Sequence, residues 1–154
     1  MPKKFKPYVT SIIIALAVGG LSALLTMRNM NIYESINTPS VSPPGAAFPI
    51  VWAILYTLMG ISSAIVYKSD SVYKWPALGI YILNLFVNFL WSIIFFNLRA
   101  YLFSFIWLLL LLFIIAVMIY RFFKASPVAA YLQLPYFLWV CFAGYLNFMI
   151  FIMN

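Results

Sequence analysis

Few side chains in this sequence could carry chemistry, and the familiar catalytic sets are missing. There is no His and a single Cys, Cys141, so a tetrahedral zinc or copper site and an intrachain disulfide have no donors. The two carboxylates, Glu34 and Asp70, fall in separate loops, and neither a Ser/His/Asp set nor a phosphate-cradling glycine loop accompanies them. Hydrolytic and phosphoryl-transfer reactions therefore lack their machinery. What the chain has instead is three stripes of Trp, Tyr and Asn at helical spacing. Trp52, Tyr56, Met59 and Ser63 form one; Asn84, Asn88, Trp91 and Phe95 form the second; Trp139, Ala143 and Asn147, with Pro135 and Tyr136 one turn earlier, form the third.

Each stripe has a plain reading and a functional one. An amide facing lipid leaves its donors and acceptors unsatisfied, at several kcal/mol each, so the Asn stripe must face other helices, water or a ligand. Interhelical hydrogen bonding accounts for either Asn singly; two on a stripe ending in Trp91 point to a cavity. Trp52 fits equally a headgroup anchor or a pocket wall. Ala143, small between Trp139 and Asn147, leaves room for a guest. Facing stripes of this kind predict a pocket with indole and amide donors and no buried charge, suited to a large, planar or rigid, mostly apolar ligand. Acidic groups on such a ligand are expected to point towards Arg28, Arg99 or solvent.

The elements that position the stripes follow from composition. Of 154 residues, 67% are apolar, 20% aromatic and only 7% charged, which describes a membrane chain. The charges fall in short clusters, and the stretches between them are long enough for the roughly 20 helical residues that cross a hydrocarbon core. The expected fold is all-α: a single domain over 1–154, a bundle of five transmembrane helices with spans near 8–27, 46–67, 75–98, 100–120 and 127–152. Trp107 to Val117 is apolar at every position, which excludes the alternation of a barrel strand. The first span is long enough to be a crossing and is read as part of the fold rather than as a cleaved signal.

With the N-terminus inside, cytoplasmic segments hold Lys3, Lys4, Lys6, Lys68, Lys74, Arg121 and Lys124, and the outer side only Arg28 and Arg99. The expected orientation is N-terminus cytoplasmic and C-terminus outside. The net charge of +7 then reflects topology and anionic lipid heads, with the bilayer as partner and no nucleic acid. No span carries an ionisable Asp, Glu, Lys or Arg, the groups that proton-coupled pumps place at membrane depth. The outer loop 28–45, rich in Asn, Ser, Pro and Gly, cannot continue a helix and is read as a lid. Ala15, Gly19 and Ala23 form a small-residue ridge read as helix packing, and the fourth span, with Leu108 to Leu112, is read as largely lipid-facing.

The residues also resemble a known family, the TspO/MBR proteins (tryptophan-rich sensory proteins, in animals the translocator protein or peripheral benzodiazepine receptor). The resemblance rests on Pro43-Pro44 followed by Phe48-Pro49-Ile50-Val51-Trp52 and Leu55 to Gly60, then Asn88-Phe89-Leu90-Trp91 with Phe95-Phe96. It continues through Ser126 to Ala130 and Pro135 to Trp139 into Phe142-Ala143 and Leu146-Asn147. Val41 stands where many members have a Trp. The resemblance implies a bacterial-type, multi-pass protein of the cell membrane, often a homodimer. It would hold no permanent cofactor and would bind porphyrins such as protoporphyrin IX, haem-like tetrapyrroles and synthetic isoquinoline carboxamides. It implies a pocket of Tyr33 and Pro43 from the lid, Trp52 and Tyr56, Asn84, Asn88 and Trp91, and Trp139, Ala143 and Asn147. It also implies light- and oxygen-dependent breakdown of bound porphyrin, with Trp52 and Trp139 as the photochemical residues and no metal site. A transporter of porphyrins or other lipophiles, and a regulatory or structural membrane partner, are the alternative readings.

Overall fold

A computed structural model describes residues 3–154; the first two residues of the expected domain lie outside it. Five helices long and apolar enough to cross a membrane make up the chain: Lys6–Asn29, Ala47–Lys68, Lys74–Asn97, Tyr101–Ala125 and Pro127–Met153. The protein is an all-helical, multi-pass integral membrane protein. The first span is α1 (Lys6–Thr26) with a closing 3₁₀ turn, and a single-turn helix α2 (Ile32–Ser35) lies in the lid. The second span is α3 (Ala47–Lys68), and the third is α4 (Lys74–Ser92) running into a π-helical turn, Ile93–Asn97. The fourth is α5 (Tyr101–Ala125), and the fifth is split at Gln133 into α6 (Pro127–Leu132) and α7 (Leu134–Met153).

Helix starts use proline where its missing N–H costs nothing: Pro7, Pro127 and Pro135 sit in the first turns of α1, α6 and α7. The reversal between the third and fourth spans turns on Arg99, the one non-glycine residue with positive φ among the described residues, at 52°, which lets the Ala100 N–H reach back to the Ile94 carbonyl at 3.2 Å. The fourth span runs past its expected end at Tyr120 as far as Ala125. A charge-free window stops at the first cation, but a helix does not. Arg121 reaches the Pro76 carbonyl at 3.3 Å and the Lys124 ammonium lies 4.7 Å from the Tyr120 ring centroid, so both stems snorkel while their charges complement the helix C-terminus.

Around the bundle the helices follow α1, α3, the α6–α7 span, α5 and α4, closing again on α1. The fourth span leaves most of its surface outward, with Leu102, Phe103, Ile106, Leu109, Leu110 and Phe113 exposed, but one face is core: α5 packs on α4, α6 and α7, and its Leu108, Leu111, Ile115, Met118 and Phe122 are among the most buried side chains. A leucine run is apolar all round, so its sequence cannot show that one face is core. At the lysine-rich end α6 wedges between α3 and α5, with the Ser62 hydroxyl donating to the Ala129 carbonyl at 2.7 Å. Beyond the break at Gln133, α7 packs chiefly on α5, so the bundle opens between α3 and α7 at the other end.

Candidate functional site

That opening is a cavity of about 560 Å³, within the range of roughly 300–1,000 Å³ usual for small-molecule sites. Its walls come from α1, α3, α4 with its π turn, and α7, and the lid lies across it. The first stripe delivers Trp52 and Tyr56 to the wall, with ring centroids 5.6 Å apart. Phe48, one turn earlier on the same face, joins them and links lid to far wall: it meets Tyr33 edge-on at 5.0 Å and Trp139 at 5.9 Å. Phe48 stood in the quoted motif but was not among the expected pocket residues, although its spacing from Trp52 and Tyr56 was the available signal.

The Asn stripe divides with depth. Asn88 and Trp91 line the cavity; the Asn88 amide donates to the Tyr56 hydroxyl at 3.1 Å, and the Trp91 indole donates to Asn147 Oδ1 at 3.1 Å. Asn84, fully buried, lies below the wall rather than in it, where it accepts the Tyr136 hydroxyl at 2.6 Å. It is the interhelical hydrogen bond of the plain reading, because Tyr136 projects from α7 at the same depth. Asn147 lines the cavity, yet Ser104 also donates to its Oδ1 at 3.0 Å and its own amide donates to the Tyr101 carbonyl at 2.9 Å. It ties α4, α5 and α7 together at the cavity wall.

Trp139 and Ala143 both line the cavity, Ala143 with 8% of its surface exposed. The Trp139 N–H is buried and has no partner among the described residues. In an apolar wall such a donor carries a desolvation penalty of about 1–3 kcal/mol that an acceptor on a guest would relieve.

The lid is built rather than loose. Tyr33, which lines the cavity, donates its hydroxyl to the Pro43 carbonyl at 2.8 Å, so Pro43 holds the lid from outside the wall instead of forming it. The lid also clasps the end of the chain: the Asn37 N–H donates to Asn154 Oδ1 at 3.1 Å, and the Asn154 amide donates back to the Asn37 carbonyl at 2.8 Å. Asn29 donates to Asn97 at 2.8 Å and Asn97 to the Leu25 carbonyl at 2.9 Å, joining the end of the first span to the π turn.

Two expectations need correction. The ridge of α1 is more than packing: Ala15 is fully buried, but Gly19 and Ala23 line the cavity, and a Cβ on Gly19 would lie 2.5 Å from the Tyr56 ring. Small residues there let Tyr56 seat against α1. Arg28 and Arg99 do not reach the wall, and the charged side chain that does is Glu34 of the lid. Its carboxylate sits at the mouth where a cation was expected, because the α2 turn swings residues 31, 33 and 34 inwards. No group of three or more metal-binding side chains is found among the described residues.

The model of the TspO/MBR family matches residues 11–153. The chain is 34% identical to the tryptophan-rich protein TspO of Archaeoglobus fulgidus, over 95% of each chain. It is 33% identical to the protein of the same name from Chlorobaculum tepidum, over 100% of this chain and 99% of that one. A mammalian relative, the translocator protein of Sus scrofa, is 30% identical over 85% of this chain and 82% of its own.

Proposed function

The chain belongs to the TspO/MBR family, and from that premise and the cavity we propose that it is a receptor for porphyrins and similar bulky, planar, lipophilic ligands. The observation that carries the reading is an aromatic cavity, open at one end, holding one unpartnered buried donor, Trp139, and no Asp, Glu, Lys, Arg or His at membrane depth. Such a site binds by shape, apolar area and one or two hydrogen bonds. Trp52, Phe48 and Trp139 supply ring faces, Asn88 and Tyr56 a polar patch, and Ala143 and Gly19 the space. The propionates of a porphyrin reach solvent through the mouth, where the Glu34 carboxylate works against them.

We further propose that light- and oxygen-dependent porphyrin breakdown occurs in this cavity. The porphyrin absorbs the light, dioxygen is the oxidant, and the protein holds the ring against Trp52 and Trp139. In this reading the chain lies in a bacterial cell membrane as a homodimer, with the lysine-rich end cytoplasmic and the cavity opening outwards.

The test is a titration of the purified protein with protoporphyrin IX, followed by Trp fluorescence. Saturable quenching reversed by an isoquinoline carboxamide is expected, and its absence overturns the receptor reading. Illumination in air of the bound complex tests the second step. Trp52→Phe/Trp139→Phe is expected to bind more weakly and to leave the porphyrin spectrum intact; full conversion by that variant ends the photochemical reading.

A further inference from the structure

A second hollow lies at the opposite, lysine-rich end, on the face of the bundle where α1, α3 and α4 meet. It is a groove of about 430 Å³. Ser11 and Ile14 line it from α1, Ser63 and Tyr67 from α3, and Trp75, Leu78, Gly79 and Ile82, at i, i+3, i+4 and i+7, from α4. Tyr81 closes its floor with only 4% of its surface exposed, and its buried hydroxyl has no hydrogen-bond partner among the described residues. The Ser63 hydroxyl, which lies beside it, donates to the Gly60 carbonyl at 3.0 Å. A phenol buried beneath an apolar groove without an acceptor is costly unless a guest supplies one.

The mouth is cationic. Lys74 lies 5.5 Å from the Tyr67 ring centroid and 5.4 Å from that of Trp75, its ammonium held by the Tyr67 carbonyl at 3.0 Å. Lys68 is close by on the Lys4 carbonyl at 3.1 Å. Asp70 is the sole acid in the sequence at this end, against Lys3, Lys4, Lys6, Lys68, Lys74, Arg121 and Lys124. Lys74 and Tyr81 stand two helical turns, about 10 Å, apart along α4. A glycerophospholipid has its groups in that order along the membrane normal: an anionic phosphate, then ester carbonyls that accept but cannot donate, then an acyl chain.

We propose that this groove binds an anionic glycerophospholipid, with the phosphate at Lys74, an ester carbonyl accepting from the Tyr81 hydroxyl, and one acyl chain along Leu78, Gly79 and Ile82. The site is separate from the outer cavity and shares no lining residue with it. A lipid held there bridges three helices at the end of the bundle away from the lid.

Native mass spectrometry of the full chain, with dioleoylphosphatidylglycerol and dioleoylphosphatidylcholine offered in equal amounts, tests this. The wild type is expected to retain phosphatidylglycerol several-fold over phosphatidylcholine. Lys74→Gln is expected to remove that preference, and Tyr81→Phe to lower retention of both lipids, since both carry the ester. Gly79→Leu fills the groove and should abolish retention; a Cβ at Gly79 meets nothing within 4 Å, and protoporphyrin quenching by this variant should be unchanged. If Gly79→Leu and Tyr81→Phe retain lipid like the wild type, the bound lipid is annular and the proposal fails. It fails equally if a sterol competes the phospholipid away, or if Gly79→Leu alters only the monomer–dimer ratio. Loss of quenching in the wild type, with lipid selectivity intact, overturns the porphyrin reading alone.

Discussion

Replacing Trp139 by Phe should change ligand affinity and protein stability differently, and the structure gives the size of each effect. Without a ligand, the Trp139 N–H is buried and unpartnered, a burden of about 1–3 kcal/mol that Phe removes. Against this, the smaller ring gives up part of its contact with Phe48 and Phe142, whose centroids lie 5.9 and 5.7 Å away; by buried area that loss is about 1–2 kcal/mol. The two nearly cancel, so the melting temperature should hold to within about 4 °C, the equivalent of roughly 1 kcal/mol. Binding has no such compensation. It loses a hydrogen bond of about 0.5–1.5 kcal/mol and some ring contact, and should weaken about 5- to 20-fold. Trp91→Phe is the control, because its N–H already donates to Asn147; losing it removes about 0.6–2 kcal/mol from the bundle with a smaller effect on affinity. Thermal melting in detergent and protoporphyrin titration on the remaining tryptophans read both quantities. If Trp139→Phe destabilises as much as Trp91→Phe while affinity stays the same, the unpartnered donor is not the ligand's partner and the reasoning is refuted.

Ala143→Phe should place a ring in the cavity between Trp139 and Asn147 and weaken protoporphyrin binding more than about tenfold with the fold retained; a stability loss of about 1–3 kcal/mol with unchanged affinity would show Ala143 to be packed core instead. Glu34→Gln removes the carboxylate at the mouth and should tighten binding of a dianionic porphyrin about two- to fivefold at low ionic strength. That gain should vanish near about 0.5 M salt, as screening requires; a gain that persists in salt would point to a contact effect. Asn154→Ala breaks the reciprocal clasp with Asn37 and should raise the ligand dissociation rate about three- to tenfold, the worth of one or two hydrogen bonds, as measured by stopped-flow displacement. An unchanged rate would mean that the lid does not gate the cavity.

Five spans were legible because membrane thickness sets a length and the scarcity of charge marks its ends. The boundaries slipped only where cations belong to the helix, as at Arg121 and Lys124. Which faces turn inwards was legible where a polar or aromatic stripe marked them, as on α4 and α7. It was hidden in α5, where Leu108 and Leu111 are buried and Leu109 and Leu110 exposed with nothing in the sequence to tell them apart. The break at Gln133 was likewise hidden, since Pro127 and Pro135 both fit helix starts and only packing shows that two helices share the span. Glu34 was missed for another reason: which side of a loop faces a cavity depends on a single turn, α2, that residue composition does not reveal.

The harder question was how the polar groups of the stripes divide between holding helices and holding a ligand. In lipid both uses satisfy the same demand, a partner for every buried donor, so spacing alone leaves them equivalent. The neighbours decide. Asn84 accepts from Tyr136 through its Oδ1 while its Nδ2 is left without a partner, and Asn147 is bonded to Ser104, Trp91 and the Tyr101 carbonyl; both side chains join helices. The Trp139 indole and the Tyr81 hydroxyl are buried without a partner among the described residues, and the two side chains line hollows at opposite ends of the bundle. Each costs the isolated protein stability that a guest with an acceptor returns; Asn84 Nδ2 and Gln133 Nε2 are also unpaired but line neither hollow, so it is the coincidence of an unpaired donor with a hollow that marks a place for a ligand.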